Sequence, residues 1–290
     1  MPTSKDPGFD ALFPKGARVE KVMDGFQFTE GPVWREDGSL LFTDIPANKI
    51  YRIDPEGLLS VYSEPSGNAN GLTIDRKGRL IRCEHGNRRV LREEKSGSTT
   101  VLASYYKGKR LNSPNDVVER SDGSIFFTDP PYGVDAKDRE LEFQGVYRIS
   151  PGGDLSLLVD DFRMPNGLAL SPDEKVLYIA DSSELKHIRA FDVQPDGSLA
   201  NGRLFAEMRT GKPGSPDGMK VDSKGRLWST GEGGVWVFDP SGKHLGTVET
   251  PEVPANCAWG GKDGKTLYMT CQKSVYIIRT EVAGLRPWIR

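Results

Sequence analysis

The sequence predicts an all-β fold, a six-bladed β-propeller with four-stranded blades, on three observations. First, one pattern recurs six times: a carboxylate or amide residue, an apolar strand, a Gly-containing polar turn and a second apolar strand. The copies open at Glu30 (EGPVW), Asn70 (NGLTI), Asn115 (NDVVE), Asn166 (NGLAL), Asp217 (DGMKV) and Asn256 (NCAWG), positions that differ by 40, 45, 51, 51 and 39. A strand-built repeat of that length reads as one propeller blade. Second, the composition suits many short strands and turns: 36% hydrophobic residues, with 33 Gly and 20 Pro among 290. Third, four strands can be traced through each unit, apolar on alternating or both faces.

The third copy is the clearest. Asn115 and Asp116 open it, Val117 and Val118 form the first strand, and Ser121-Asp122-Gly123 makes the hairpin turn. Ser124–Thr128 is the second strand, Gly145–Ile149 the third and Leu155–Val159 the fourth, with Ser150-Pro151-Gly152-Gly153 between the last two. The other copies repeat the order, with second strands LLFTD, LIRCE, LYIAD, LWSTG and LYMTC. The sixth lacks a fourth strand, because Thr280–Arg290 is broken by Gly284 and Pro287. A spare strand, Ala17–Met23, precedes the first anchor and is expected to complete the last blade, closing the ring and covering a sheet edge. The expected organisation is a single domain over residues 1–290, with 1–16 as an N-terminal extension.

With a pI near 6.0 and a net charge of −2, no basic field is present to gather nucleic acid or an anionic membrane. No run approaches the ~18 apolar residues of a membrane span, and the N-terminus has no signal-peptide core. The three cysteines, Cys83, Cys257 and Cys271, are odd in number and show no Cys-x-x-Cys spacing. Free buried thiols and a cytoplasmic location are expected, for a monomer or weak homodimer.

In a propeller the innermost strand of each blade lines a central channel, and the anchor begins that strand. Six oxygen-bearing side chains should therefore converge near one mouth. Two are carboxylates, four are amides, and none is His or Cys. Such a set suits a hard divalent cation, Ca²⁺ foremost, with Zn²⁺, Mn²⁺, Mg²⁺ or Fe²⁺ as alternatives. Asn and Asp also favour strand starts as turn formers, and for Asn70 and Asn256 that reading weighs as much as ligation. Glu30 is a poor turn former and costly to bury unpaired. His85 closes the second strand of the second repeat, and either serves as a base or hydrogen-bonds a neighbouring loop. Tyr132, in PPYG, belongs to the pocket rim or to packing. Trp34 reads as core between blades, and Arg88 and Arg89 as strand-end surface charges.

At these residues the chain resembles the senescence marker protein/gluconolactonase/regucalcin-like family, and most of all its bacterial gluconolactonase branch. The matching pieces are EGPVW (30–34), CEHGNRRV (83–90), LNSPNDVV (111–118), FTDPPYG (127–133), MPNGLALSPD (164–173) and PDGMKVD (216–222). The resemblance implies a divalent metal at the channel mouth on Glu30, Asn166 and Asp217, joined by Asn115 as in related lactonase and phosphotriesterase propellers. It further implies that Arg110 and Asn112 hold a sugar lactone, and it assigns Asp217 the role of general base.

The expected function is metal-dependent hydrolysis of sugar lactones, the cation polarising the lactone carbonyl for water attack. The base is Asp217, His85 or water acidified by the cation, since a carboxylate on a metal is a weak base. The alternatives are a promiscuous metal-dependent esterase or phosphotriesterase, and a non-catalytic calcium-binding propeller scaffold.

Overall fold

The computed structural model describes residues 2–285. Six sheets form the blades of a six-bladed propeller. Their innermost strands, in chain order, are Thr29–Trp34, Ala69–Ile74, Val117–Glu119, Pro165–Leu170, Met219–Val221 and Asn256–Gly260. Each is followed outward by antiparallel neighbours. In the third blade these are Ile125–Asp129, Gln144–Ile149 and Leu155–Phe162, so its last strand runs three residues past the sequence expectation. The Asp-Gly turn forms as the sequence implies: Gly123 takes φ +87° and its N–H donates to Arg120 O at 2.9 Å.

The ring closes through the N-terminal segment. Glu20–Asp24 pairs antiparallel with Ser274–Arg279, Glu20 opposite Ile277 and Asp24 opposite Ser274, as the outermost strand of the sixth blade. It begins three residues later than expected because the chain at Ala17 is still turning, its N–H bound to Pro14 O. Residues further upstream also join the fold. Pro2–Ser4 adds a fifth strand to the fifth blade. The short helix Pro7–Asp10, capped by the Asp6 carboxylate, delivers Phe9 and then Leu12 into an apolar cluster with Trp228, Val248 and Trp259.

The core lies between blades. Trp228 of the fifth blade meets Trp259 of the sixth edge-to-face at 5.1 Å, and Trp34 of the first stacks on Tyr268 of the sixth at 5.3 Å. All three cysteines are buried free thiols. No helix among the described residues is long and apolar enough to cross a membrane.

Inner strands approach so closely that the residue after an anchor has no room for a side chain on that face. A Cβ on Gly31 would lie 2.0 Å from Asn70 O, and one on Gly167 would lie 2.1 Å from Asp217 O. The glycines that follow four of the six anchors are thus required by contact between blades. The third and sixth copies carry Asp116 and Cys257 at this place instead.

Candidate functional site

Three of the anchors sit where they do because the second strand of their blade ends in an aspartate that gathers the loop before the anchor. Asp44 accepts the N–H groups of Gln27 and Phe28, Asp129 those of Asn112 and Ser113, and Asp181 those of Arg163 and Met164. In all three blades the clamped residues stand three and two positions before the anchor: Glu30, Asn115 or Asn166. A threonine on the same strand ties the blade to its neighbour, as in Thr43 Oγ1 to Asn70 O at 3.1 Å and Thr128 Oγ1 to Asn166 O at 2.8 Å.

The anchors form the floor of a cavity of about 460 Å³ at one mouth of the channel. Glu30, Asn70, Asn115, Asn166 and Asp217 line it directly. Asn256 does not line it; its Nδ2 supports Glu30 Oε2 at 2.9 Å. His85, Tyr132, Ser182 and Ser215 form a polar wall, and Phe28, Ile45 and Pro46 an apolar one. A second cavity of about 90 Å³ is lined by the far ends of the inner strands, including Val33, Leu72, Val117 and Leu168. It lacks the ring of carboxylates and amides that marks the first mouth.

The floor amides are joined head to tail. Asn70 Nδ2 donates to Asn115 Oδ1 at 2.6 Å, Asn115 Nδ2 to Asn166 Oδ1 at 2.6 Å, and Asn166 Nδ2 to Ser182 Oγ at 2.8 Å. His85 Nε2 stands 3.3 Å from Asn70 Nδ2 and 3.2 Å from Asn115 Oδ1, and Tyr132 OH accepts from Asn166 Nδ2 at 3.3 Å. His85 thus meets the anchor side chains themselves.

The charges are crowded. Glu30 is buried and Asp217 half-buried, together with a third, buried carboxylate, Asp116, at the place where other copies carry glycine. Asp116 Oδ1 accepts the Val117 N–H, while its buried Oδ2 has no hydrogen-bond partner among the described residues. Burial, followed by the charge of Asp116, raises the Glu30 pKa from 4.5 to about 7. Asp217 is pushed well above the usual carboxylate range by burial, then by Glu30 and Asp116. Burial also raises Asp116, against the nearby Lys220 ammonium. His85 moves the other way, to about 4, so burial keeps its imidazole neutral. Tyr132 rises to about 12 through burial and the Asp217 charge.

Among the described residues no three His, Cys, Asp or Glu side chains form a metal cage by themselves. The oxygen donors of the floor are carboxylates mixed with amides, a set that a hard cation could share and that leaves buried negative charge for it to offset.

The remaining sequence candidates lie elsewhere. The Arg110 guanidinium donates to Asn87 O at 3.1 Å, and its backbone N–H to Glu140 Oε2 at 2.8 Å. Asn112 is buried, its Nδ2 donating to Asp129 O and Phe143 O. Neither residue lines the cavity: the Arg110 guanidinium and the Asn112 NH2 are turned to backbone carbonyls, and the buried Asn112 Oδ1 has no hydrogen-bond partner among the described residues. Arg88, expected at the surface, is buried, and its guanidinium holds the carbonyls of Leu111, Asn112 and Asp138. Arg89 is half-buried on Glu84. Sequence reasoning missed Asp116, Ser182 and Ser215. The signal for Asp116 was present, as the third copy breaks the anchor-glycine pattern. The two serines lie on loops outside the repeat.

Fold and floor together define a six-bladed propeller with a buried carboxylate–amide ring at one mouth of its channel. Residues 28–273 match the family model described as SMP-30/Gluconolactonase/LRE-like region, and the chain belongs to that family. It is 34% identical to a gluconolactonase of Zymomonas mobilis over 97% of this chain and 86% of that one. It is 31% identical to a pentonolactonase of Haloferax volcanii over 87% and 84%. The solved structure of a gluconolactonase from Xanthomonas campestris superposes with a TM-score of 0.88 at 35% identity, covering 96% of this chain and 94% of that one.

Proposed function

We propose that this cavity hydrolyses sugar lactones with a divalent cation, Ca²⁺ foremost, held by Glu30, Asn115, Asn166 and Asp217. The observation that carries the reading is the convergence of two carboxylates, Glu30 and Asp217, and two amides on one cavity floor, with the buried Asp116 carboxylate beneath them. Relatives named gluconolactonase and pentonolactonase support the substrate class. When bound, the cation supplies Lewis-acid polarisation of the lactone carbonyl and offsets the charge that develops on its oxygen.

The chain's own residues do the rest. Glu30 is oriented by the Gly31 N–H and the Asn256 amide and contributes negative charge to the floor. Asp217, once its charge is offset, accepts the proton of the attacking water; Gly218 N–H and the Asn166 amide favour its ionised form. His85 is the weaker base candidate, because Nε2 is already engaged by Asn70 and Asn115. Its neutral ring, donating from Nε2 to Asn115 Oδ1, holds that amide in place. The hydroxyls of Tyr132, Ser182 and Ser215 offer partners for sugar hydroxyls, while Phe28, Ile45 and Pro46 cover the C–H face and exclude water. Arg110 and Asn112 act at one remove, by ordering the loop before Asn115.

That apolar wall also favours a second reading, a promiscuous metal-dependent esterase or phosphotriesterase. A panel of sugar lactones, simple esters and a phosphotriester, assayed after chelation and again with each metal restored, separates the two. Lactone turnover that disappears on chelation and returns with the cation is the expected result. Turnover indifferent to chelation, or confined to the phosphotriester, overturns the proposal.

A further inference from the structure

The direction of the floor amides is set from one end. Ser182 Oγ donates to Pro216 O at 2.5 Å, and a backbone carbonyl only accepts. A serine hydroxyl has one proton, so toward Asn166 it can only accept. Asn166 must therefore present Nδ2 to Ser182, at 2.8 Å, and turn Oδ1 toward Asn115. Asn115 then has to present its own Nδ2 at 2.6 Å, which turns its Oδ1 toward Asn70 Nδ2 and His85. This carbonyl, together with the Asp217 carboxylate that the Asn166 amide also favours, fixes the polarity of three successive amides.

We propose that Ser182 is a positioning residue that keeps the amide oxygens of Asn166 and Asn115 on the floor, available to a cation, and keeps the Asn166 NH2 out of that position. Reversal of Asn166 would set its NH2 against the Asn115 NH2 and its oxygen against a hydroxyl whose proton is already given to Pro216. Both contacts would then be repulsive. Without the hydroxyl, one of those two penalties disappears and the reversed amide becomes accessible. An amide NH2 cannot ligate a cation, so every reversed molecule lacks at least one donor. The chemistry resembles other metal sites, where groups behind the ligands orient them and influence affinity.

The inference rests on reading the floor as a cation site, and the two can fail separately. Calorimetric titration of cation-stripped protein with Ca²⁺ alone compares wild type, Ser182→Ala and Ser182→Thr. The expected result is binding by wild type, affinity lowered about ten-fold or more in Ser182→Ala, and recovery in Ser182→Thr, which restores the hydroxyl. Wild-type affinity in Ser182→Ala, or no recovery in Ser182→Thr, overturns the role of Ser182 while leaving the cation site intact. Failure of wild type to bind Ca²⁺ overturns the Ca²⁺ site itself. Neutron diffraction from wild-type crystals reads the amide orientation directly, whether or not the variants fold. Asn166 Nδ2 facing Ser182 supports the inference, and Oδ1 there overturns it.

Discussion

Glu30 and Asn256 stand 226 positions apart in sequence, yet the Asn256 Nδ2 donates to Glu30 Oε2 at 2.9 Å. The first residue of the repeat series is thus held by the last, at the seam where the ring closes. Ring closure and site assembly share this bond. Replacing Glu30 removes a charge from the floor and leaves the Asn256 amide without its acceptor. Glu30→Ala and Asp217→Ala are each expected to lower lactone hydrolysis at least ~10²-fold, the scale of losing a main electrostatic stabiliser. Asn70→Ala, which removes a support of Asn115, is expected to do much less. Steady-state rates at saturating cation check this, and retained activity in both carboxylate variants would refute the site.

The contact between Gly167 and Asp217 links packing to chemistry in the same way. Gly167 lies outside the left-handed region, so alanine is conformationally acceptable there and only space is at issue. A Cβ would lie 2.1 Å from Asp217 O and 2.8 Å from Gly218 Cα, both backbone atoms that cannot swing aside. Gly167→Ala should therefore destabilise the fold by about 1–3 kcal/mol or more and displace Asp217, lowering activity beyond the loss of folded protein. Urea unfolding with activity normalised to folded fraction tests both parts. Unchanged stability would show that the inner strands can separate more freely than this contact implies.

The N-terminal segment makes a separate prediction. Phe9 is fully buried among residues of the last two blades, and Phe13 beside it meets Trp228 edge-to-face at 6.0 Å. Phe9→Ala should cost about 3–5 kcal/mol, the range for large-to-small changes in a core. Equilibrium unfolding monitored by tryptophan fluorescence would register it, since Trp228 and Trp259 belong to the same cluster. A change below about 0.5 kcal/mol, the size of ordinary surface substitutions, would mean that the segment carrying Phe9 is an appendage.

Much of this was legible in the sequence because it is repetitive. The six anchors could be aligned against one another, which located the inner strands and, through them, Glu30, Asn115, Asn166 and Asp217. The strand that closes the sixth blade was legible because the last repeat lacked one and the N-terminus had one to spare. Features without a second copy were not. The pairing of Pro2–Ser4 with the fifth blade follows from no pattern in three residues. Arg110 and Asn112 lie in an insertion before the third anchor, where the hydrogen bonds to Glu140, Asn87, Asp129 and Phe143 decide where side chains point. Those partners are distant in sequence. Ser182 acquires meaning only through Pro216 O, the end of a chain of amides contributed by three blades.

The raised carboxylates lead to a pH prediction whose sign can be worked out. In the cation-free fold Glu30 titrates near 7 against an ordinary value of 4.5, and Asp116 and Asp217 are shifted the same way. Between 4.5 and 7 the folded state keeps the Glu30 proton that the unfolded chain releases, so the Glu30 contribution is complete below about 4.5 and is lost as pH rises through 7, and Asp116 and Asp217 act in the same direction. His85 and His244 oppose this at lower pH: both are lowered from 6.5 to about 4, which makes stability rise with pH until 6.5. Above 6.5 that effect is spent and the carboxylates dominate. Buried Asp129, also near 7, adds to the decline, but it lies outside the cation's reach as an Asn112 and Ser113 clamp. Cation-stripped protein should therefore melt progressively lower from about pH 6.5 to 8. Added Ca²⁺, which needs the deprotonated carboxylates, should raise the melting temperature more at pH 8 than at 6.5. Glu30→Gln should flatten part of the cation-free decline. A melting temperature that rises with pH over this window, or a Ca²⁺ effect that shrinks, would show that the floor carboxylates are already ionised without a cation.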